Sequence, residues 1–120
     1  MRTANRKAPL DGNVSFMRLV DDVTDHVITQ GEFAIAVGAS ERTVQNWSRG
    51  QTRPRGDTAN RVLDLVHLVS ELREVYTDEG IQIWLKSRNR NLQSRRPIDL
   101  LAAGEVDEVL EEVQRILGGT

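Results

Sequence analysis

Apolar residues recur every three or four positions along most of this chain, which is the spacing that places side chains on one face of an α-helix. Single stripes of this kind run over residues 14–27 and residues 105–117. Over residues 57–76 the apolar positions form more than one stripe, which predicts a long central helix buried on more than one side. We expect Asp57 or Thr58 to cap that helix. The pattern as a whole predicts an all-α fold.

Two short helices joined by a tight turn are predicted over residues 30–49. Thr29 and Glu32 form a capping-box pair that begins the first helix. Gly38 can adopt the left-handed conformation that ends it, and Ser40 is placed to cap the second helix. The apolar residues of the two helices are spaced to meet in one corner, as in a helix-turn-helix. They are Phe33, Ala34, Val37, Ala39, Val44 and Trp47.

The second of these helices carries polar residues on its outer face, and arginines continue into the loop that follows. Arg, Gln and Asn can hydrogen-bond base edges, and a helix-turn-helix reads DNA with its second helix. Loop arginines suit phosphate contacts. An ordinary αα-hairpin with a solvated polar face would have the same pattern. We predict a double-stranded DNA interface at Ser40, Glu41, Arg42, Gln45, Asn46, Arg49, Arg53 and Arg55.

This stretch resembles the DNA-binding domain of the Xre repressor family. Residues on that family's framework positions are Gln30, Ala34, Gly38, Val44 and Trp47. The sequence of residues 49–54, Arg-Gly-Gln-Thr-Arg-Pro, also looks like its usual ending. We therefore predict a helix-turn-helix domain with its long central helix over residues 14–76. A flexible basic arm over residues 1–13, broken by Pro9 and Gly12, would precede it.

Composition excludes several classes of function. The absence of cysteine leaves no disulfide framework and no thiolate metal site. No apolar run approaches the ~20 residues that a membrane span needs. The N-terminus lacks the apolar segment of a signal peptide. We therefore expect a cytoplasmic protein with no metal, no cofactor and no membrane contact.

The net charge of −2 conceals a division of charge along the chain. Residues 42–61 hold five arginines against one aspartate, and residues 86–96 hold five basic residues and no acidic one. Residues 99–115 hold six acidic residues against one arginine. We expect the two ends of the chain to meet different partners.

The second half predicts a small helical domain over residues 77–120. Thr77 begins a short helix, and the basic segment that follows is predicted to be an ordered loop held by Leu92. Pro97 suits the first turn of another helix, and Gly104 ends it. The last helix then covers residues 105–117.

This half resembles the toxin-binding domain of the Xre/MbcA/ParS antitoxins. The residues that carry the resemblance are Trp84, Leu85, Asn89, Leu92, Pro97, Leu100, Leu101, Gly104, Val106 and Leu110. Arg88 departs from the family, which commonly has proline there, and this affects the local shape of the loop. The resemblance implies a type II antitoxin whose partner is a toxin of the RES class, an enzyme that degrades NAD.

In that family the C-terminal region packs against the toxin and blocks its active site. We also expect a homodimer that presents its two recognition helices to successive major grooves. It would lie within a hetero-oligomeric toxin–antitoxin complex that represses its own operon. The predicted toxin contacts are Trp84, Asn89, Arg95, Arg96, Ile116, Leu117, Gly118, Gly119 and Thr120. Catalytic residues are not expected.

Two other classes of function stay open. A plain Xre-family repressor would use its C-terminal half only for dimerisation and would have no toxin, so the neighbouring reading frame separates the two hypotheses. An enzyme is disfavoured because the chain lacks a phosphate-binding glycine-rich loop and clustered metal ligands. We interpret His67, which falls among apolar residues, as a core or interface residue and not as a catalytic one.

Overall fold

The structure is a computed structural model that describes residues 12–118. Within this range it has seven α-helices and one 3₁₀ turn, and no strand. The helices are α1 (Gly12–His26), α2 (Gln30–Val37), α3 (Glu41–Ser48), α4 (Gly56–Leu72), α5 (Asp78–Lys86), α6 (Pro97–Ala102) and α7 (Val106–Ile116), and the 3₁₀ turn Arg90–Leu92 lies between α5 and α6. The predicted all-α fold is confirmed.

Hydrogen bonds between near neighbours set the ends of α2 and α3. Thr29 Oγ1 accepts from the N–H of Glu32 at 3.0 Å, and Glu32 Oε1 accepts from the N–H of Thr29 at 2.9 Å, so the capping box is complete. Gly38 ends α2 with a φ of +75°. Ser40 Oγ then accepts from the N–H of Thr43 at 3.1 Å and begins α3. These predicted caps are confirmed.

The long helix α4 differs from its prediction at both ends. Arg55 occupies the N-cap position without a side-chain hydrogen bond, and Asp57 and Thr58 lie inside the first turn, so neither is the cap. Because Pro54 is buried and the backbone of Arg55 is extended, the helix begins earlier than its polar residues indicate. It also ends at Leu72, four residues before the predicted end.

One hydrophobic core joins the two halves of the described chain. The helix α4 packs against α1 and α2 on one side and against α7 on another, as its several apolar stripes predicted. The helix α6 also packs against α2. Residues before and after position 76 therefore belong to the same cluster of buried side chains. The division into domains at that position stays a prediction.

His67 does not lie in the core. Its side chain is 64% exposed, and its Nε2 lies 3.3 Å from Glu71 Oε1. Leu63, one turn earlier on the same helix face, is 44% exposed. The core position predicted for His67 is wrong, because α4 leaves this outer face uncovered. A place in an interface between chains stays a prediction.

The predicted N-terminal arm lies mostly outside the described residues. Its last two members, Gly12 and Asn13, are instead the first residues of α1. The prediction that Gly12 breaks any helix is therefore wrong. Glycine weakens a helix through the backbone entropy that it loses, a penalty of about 0.5–1 kcal/mol that does not prevent a helix from beginning there.

Candidate functional site

The helix α3 has one buried side and one polar side. Val44 and Trp47 are 0% and 3% exposed, and they fix the orientation of the helix against its neighbours. Arg42 on the other side is exposed, and Gln45 and Asn46 are partly exposed. Side chains of these types at the surface can form the hydrogen bonds that read base edges.

Two of the residues predicted to contact DNA have local structural roles. Ser40 Oγ, besides capping α3, lies 2.8 Å from Thr43 Oγ1, so the hydroxyl already has two hydrogen-bond partners. Glu41 is the first residue of α3, where the helix dipole stabilises a carboxylate. Both remain exposed, and their contact with DNA stays a prediction.

Four arginines surround the polar side of α3. Arg42, Arg49, Arg53 and Arg55 are all exposed, and none of them forms an ion pair with another residue in the range 12–118. The Arg53 guanidinium also lies against Gly12, where an added Cβ would be 1.8 Å from its Nη1. Because these four arginines are exposed and have no carboxylate partner within residues 12–118, their charges are available to phosphates.

Arg61 does not belong to this basic face, although it falls in the same basic stretch of the sequence. Its guanidinium turns inward and donates to the carbonyl oxygens of Ala36 at 3.3 Å and Ala102 at 3.2 Å, and also to that of Leu101. Of the five arginines in residues 42–61, four are therefore exposed without an ion pair within residues 12–118, and the fifth, Arg61, is an internal hydrogen-bond donor.

Three of the five basic residues in segment 86–96 have carboxylate partners within the chain: Lys86, Arg95 and Arg96. The other two, Arg88 and Arg90, are exposed and make no ion pair within residues 12–118. Lys86 Nζ lies 2.7 Å from Glu32 Oε2, and Arg96 binds Asp99 with two hydrogen bonds of 2.8 and 2.9 Å. Burial opposes ionisation of Glu32, but hydrogen bonds from Lys86 and Thr29 outweigh it and lower its pKa. The Arg96 hydrogen bonds likewise lower the pKa of Asp99.

Arg95, another predicted toxin contact, also has acidic partners in the chain. Its Nη2 lies 2.8 Å from Glu108 Oε2 and its Nη1 lies 3.5 Å from Glu105 Oε1, both at the start of α7. Its Nε donates to the carbonyl of Leu92 at 3.0 Å. Arg95 therefore ties the loop before α6 to α7, and any contact with a toxin would be additional to this role.

Trp84 and Asn89 also support the C-terminal half from within. Trp84 is partly buried and packs against the core. Asn89 Oδ1 accepts from the N–H of Asn91 at 2.8 Å, and the backbone of Asn89 pairs with that of Arg95. The predicted ordered loop is confirmed, since Leu92 is buried at its centre. Contacts of Trp84 and Asn89 with a toxin stay predictions.

Sequence reasoning missed a buried carboxylate on α7. Glu112 is only 6% exposed, and its carboxylate accepts from Arg115 Nη2 at 2.7 Å, Arg115 Nε at 2.9 Å and Asn91 Nδ2 at 3.1 Å. The hydrogen bonds from Arg115 lower the pKa of Glu112 despite its burial. The available signal was its position beside Val113 at the edge of the apolar stripe. This network holds α7 to the 3₁₀ turn.

The predicted blocking segment begins inside the folded chain. Ile116 and Leu117 are partly buried and pack against the core, because they continue the apolar stripe of α7. Gly118 is exposed. Gly119 and Thr120 lie outside the described residues. A segment that enters another protein would therefore begin at Gly118.

Residues 12–118 contain no helix with the length and apolar character needed to cross a bilayer. The same range holds no group of three or more histidine and carboxylate side chains that could bind a metal ion.

Comparisons with known proteins agree along most of the chain. Residues 71–119 match the family described as the antitoxin Xre/MbcA/ParS C-terminal toxin-binding domain. The chain is 33% identical over 111 residues to the probable mycobacterial cidal antitoxin Rv3188 of Mycobacterium tuberculosis, covering 92% of this chain and 94% of that protein. It is 33% identical over 92 residues to the mycobacterial cidal antitoxin MbcA of Mycobacterium bovis, covering 77% and 81%.

A solved structure has the same fold. A chain in the crystal structure of the M. tuberculosis MbcT–MbcA toxin–antitoxin complex matches with a TM-score of 0.74 and 30% sequence identity, covering 87% of this chain and 95% of that chain. The matches to whole proteins extend beyond the C-terminal segment into the helices that precede it.

Proposed function

This chain belongs to the Xre/MbcA/ParS family of antitoxins, and we propose that it neutralises a RES-class toxin that degrades NAD. The observation that carries the proposal is the shared fold with a chain of a toxin–antitoxin complex. The protein would act by binding and would have no catalytic residues of its own. Its partner toxin would be encoded beside it.

The surface that we assign to the toxin is the outer face of α7 with the residues that follow it. Val109 and Val113 are fully buried, so α7 is a rigid support. Asp107 and Glu111 are exposed on its other side, and Glu108 is exposed there too but is paired with Arg95. A cleft that binds the phosphates of NAD is expected to be basic, and an acidic helix complements it electrostatically. The segment from residue 118 onward would then occlude the active site.

Truncation of residues 118–120 tests this mechanism. Unlike a deletion that includes Leu117, this truncation leaves the core side chains in place. On co-expression with the adjacent toxin gene, we expect cellular NAD to fall as it does with the toxin alone, while the truncated chain keeps its thermal stability and DNA binding. NAD levels equal to those with the full chain would show that these residues are not the blocking segment.

We also propose that the complex represses its own operon through α3. A homodimer would present two α3 helices to successive major grooves about 34 Å apart. The four free arginines would release counterions from DNA, so affinity for the upstream region should fall steeply as salt concentration rises. If the upstream DNA binds no better than an unrelated fragment, this part of the proposal is wrong.

A plain repressor is the second candidate, and the same free arginines support it. Co-purification with the product of the adjacent gene separates the two functions. A stable complex with NAD-degrading activity that appears only after the antitoxin is removed supports the antitoxin function. DNA binding without any such partner supports the plain repressor.

A further inference from the structure

Arg61 connects the ends of two helices from different halves of the chain. It lies in α4, and its Nη2 donates to the carbonyl of Ala36 near the end of α2 and to that of Ala102 at the end of α6. A third hydrogen bond goes to the carbonyl of Leu101. One side chain thus binds the helix-turn-helix and the C-terminal half together.

These carbonyls are natural partners for a cation. The last carbonyls of a helix lack intrahelical donors and carry partial negative charge. Arg61 has no carboxylate within ion-pair distance among residues 12–118, so the two helix ends provide its compensating charge. Because one nitrogen, Nη2, donates to carbonyls at both helix ends, it fixes how close these two ends lie to each other.

The same guanidinium lies against the turn that leads into α3. A Cβ added to Gly38 would be 2.6 Å from Arg61 Nη1, so the guanidinium would have to move if Gly38 were replaced. Gly38 also has the φ of +75° that reverses the chain between α2 and α3. Arg61 therefore contacts the turn that determines where α3 points.

A gap of about 20 Å³ lies at the junction of α2, α4, α6 and α7. Its lining residues are Ala36, Arg61, Leu65, Leu101, Gly104 and Val106. Protein interiors are otherwise close-packed and resist displacement. A shift of α6 therefore acts on Arg61 through its hydrogen bonds to Leu101 and Ala102 and not through the gap.

We infer that Arg61 is a positioning residue that couples the C-terminal half to the DNA-binding helix α3. A protein bound to the C-terminal half changes the position of α6, and Arg61 passes this change to the turn at Gly38. The affinity of the chain for DNA then depends on whether that protein is bound. The inference rests on the proposed function, since it takes the toxin and the operator as the two ligands.

A coupling measurement tests the inference, with Arg73 as the matched control. Arg73 also joins the two halves, through Asp22 of α1 and Asp78 of α5 at 2.8 Å each, but within residues 12–118 its side chain hydrogen-bonds no residue of α2 or α6. The affinity of the upstream DNA is measured with and without the co-purified toxin, for the unaltered chain, Arg61→Gln, Arg61→Lys and Arg73→Gln. The ratio of the two affinities is the coupling factor.

We expect a coupling factor of about 5-fold or more in the unaltered chain and in Arg73→Gln. In Arg61→Gln it should fall to within about 2-fold of unity, and Arg61→Lys should be intermediate because it keeps the charge but not the planar donors. An undiminished factor in Arg61→Gln, or a factor of one in the unaltered chain, would overturn the inference.

Amide hydrogen exchange in the free chain provides a test that needs neither ligand. The N–H of Ala39 binds the carbonyl of Ala34, and the N–H of Glu105 binds that of Leu100, so these amides report on the ends of α2 and α6. Arg61→Gln should speed exchange about 10-fold at both, and Arg73→Gln at neither. Faster exchange at only one end, or at neither, would contradict the inference even if no toxin complex forms. Failure of the unaltered chain to bind a toxin would instead contradict the proposed function.

Discussion

Two groups of arginines with the same charge lie in opposite environments in the two halves of the molecule. Those around α3 are exposed and make no ion pair with the part of the chain that the structure describes: Arg42, Arg49, Arg53 and Arg55. Three arginines of the C-terminal half are bound by carboxylates: Arg95, Arg96 and Arg115. Two others, Arg88 and Arg90, are exposed and make no ion pair within residues 12–118, so they fall outside this second group. A count of charges along the sequence therefore does not identify a basic surface. Only the first group can attract an anionic partner without first losing an internal one.

The paired arginines also differ among themselves in energetic importance. Arg96 and Asp99 are about half exposed, and exposed ion pairs contribute little to stability because solvent screens them. Glu112 is buried, and its carboxylate accepts hydrogen bonds from both Asn91 and Arg115. Removing one member of a buried network leaves the others with unmet hydrogen bonds, which costs more.

The largest effect should come from removing the free arginines. We expect the triple variant Arg49→Gln, Arg53→Gln, Arg55→Gln to make the slope of log affinity against log salt concentration for DNA less steep by about 2 to 3. Affinity at low salt should fall on the order of 10³-fold. Electrophoretic mobility shifts over a salt series measure both quantities.

The matched control removes two paired arginines, in the variant Arg95→Gln, Arg96→Gln. Because these charges are already neutralised by carboxylates, the salt slope should not change. Equal loss of slope in both variants would show that intramolecular pairing does not decide which arginines bind DNA, and the comparison would be wrong.

The second-largest effect should be on stability, at the buried carboxylate of Glu112. Glu112→Ala should lower the free energy of unfolding by about 2–3 kcal/mol, because Asn91 and Arg115 lose their acceptor and α7 loses its attachment to the 3₁₀ turn. Glu111→Ala, at the exposed neighbouring position, should stay within about 0.5 kcal/mol of the unaltered chain. Urea denaturation followed by circular dichroism measures both. Equal losses in the two variants would mean that the hydrogen bonds of Glu112 stabilise the chain no more than an exposed glutamate on the helix surface does.

The difference between local and distant partners also explains what could be predicted from the sequence. The capping box at Thr29 and the first-turn proline of α6 were predictable because their bonds span a few residues. Arg61 instead binds carbonyls 25 and 40 positions away, and Glu112 binds an amide 21 positions away. Such partners are fixed only by tertiary packing. For the same reason the exposed outer face of α4 with His67 was mistaken for core.

A smaller effect should appear in the pH dependence of stability. The folded-state pKa of Glu112 lies below its ordinary value of 4.5, chiefly because of hydrogen bonds from Arg115. A lowered pKa means that the unfolded chain binds the proton more readily, so the stabilisation is present above pH 4.5 and is lost as the pH falls through the folded value. Unfolding measured from pH 6 to pH 3 should therefore show a decline that is shallower in Glu112→Gln. An identical decline in both proteins would mean that other carboxylates cause the loss of stability at low pH.

Arg96→Gln should have a small effect on stability, and it tests whether a paired arginine of the C-terminal half can also bind the toxin. The Arg96–Asp99 pair joins residues three apart at the start of α6 and is half exposed, so we expect a smaller loss in the free energy of unfolding than in Glu112→Ala, because solvent screens exposed ion pairs. A larger effect on toxin binding than on stability would mean that Arg96 exchanges its internal carboxylate for one on the toxin. Asp99→Asn is the control, because it frees Arg96 and should strengthen such a contact. If both variants bind the toxin as the unaltered chain does, Arg96 serves only the fold, and the two groups of arginines then differ in function as well as in environment.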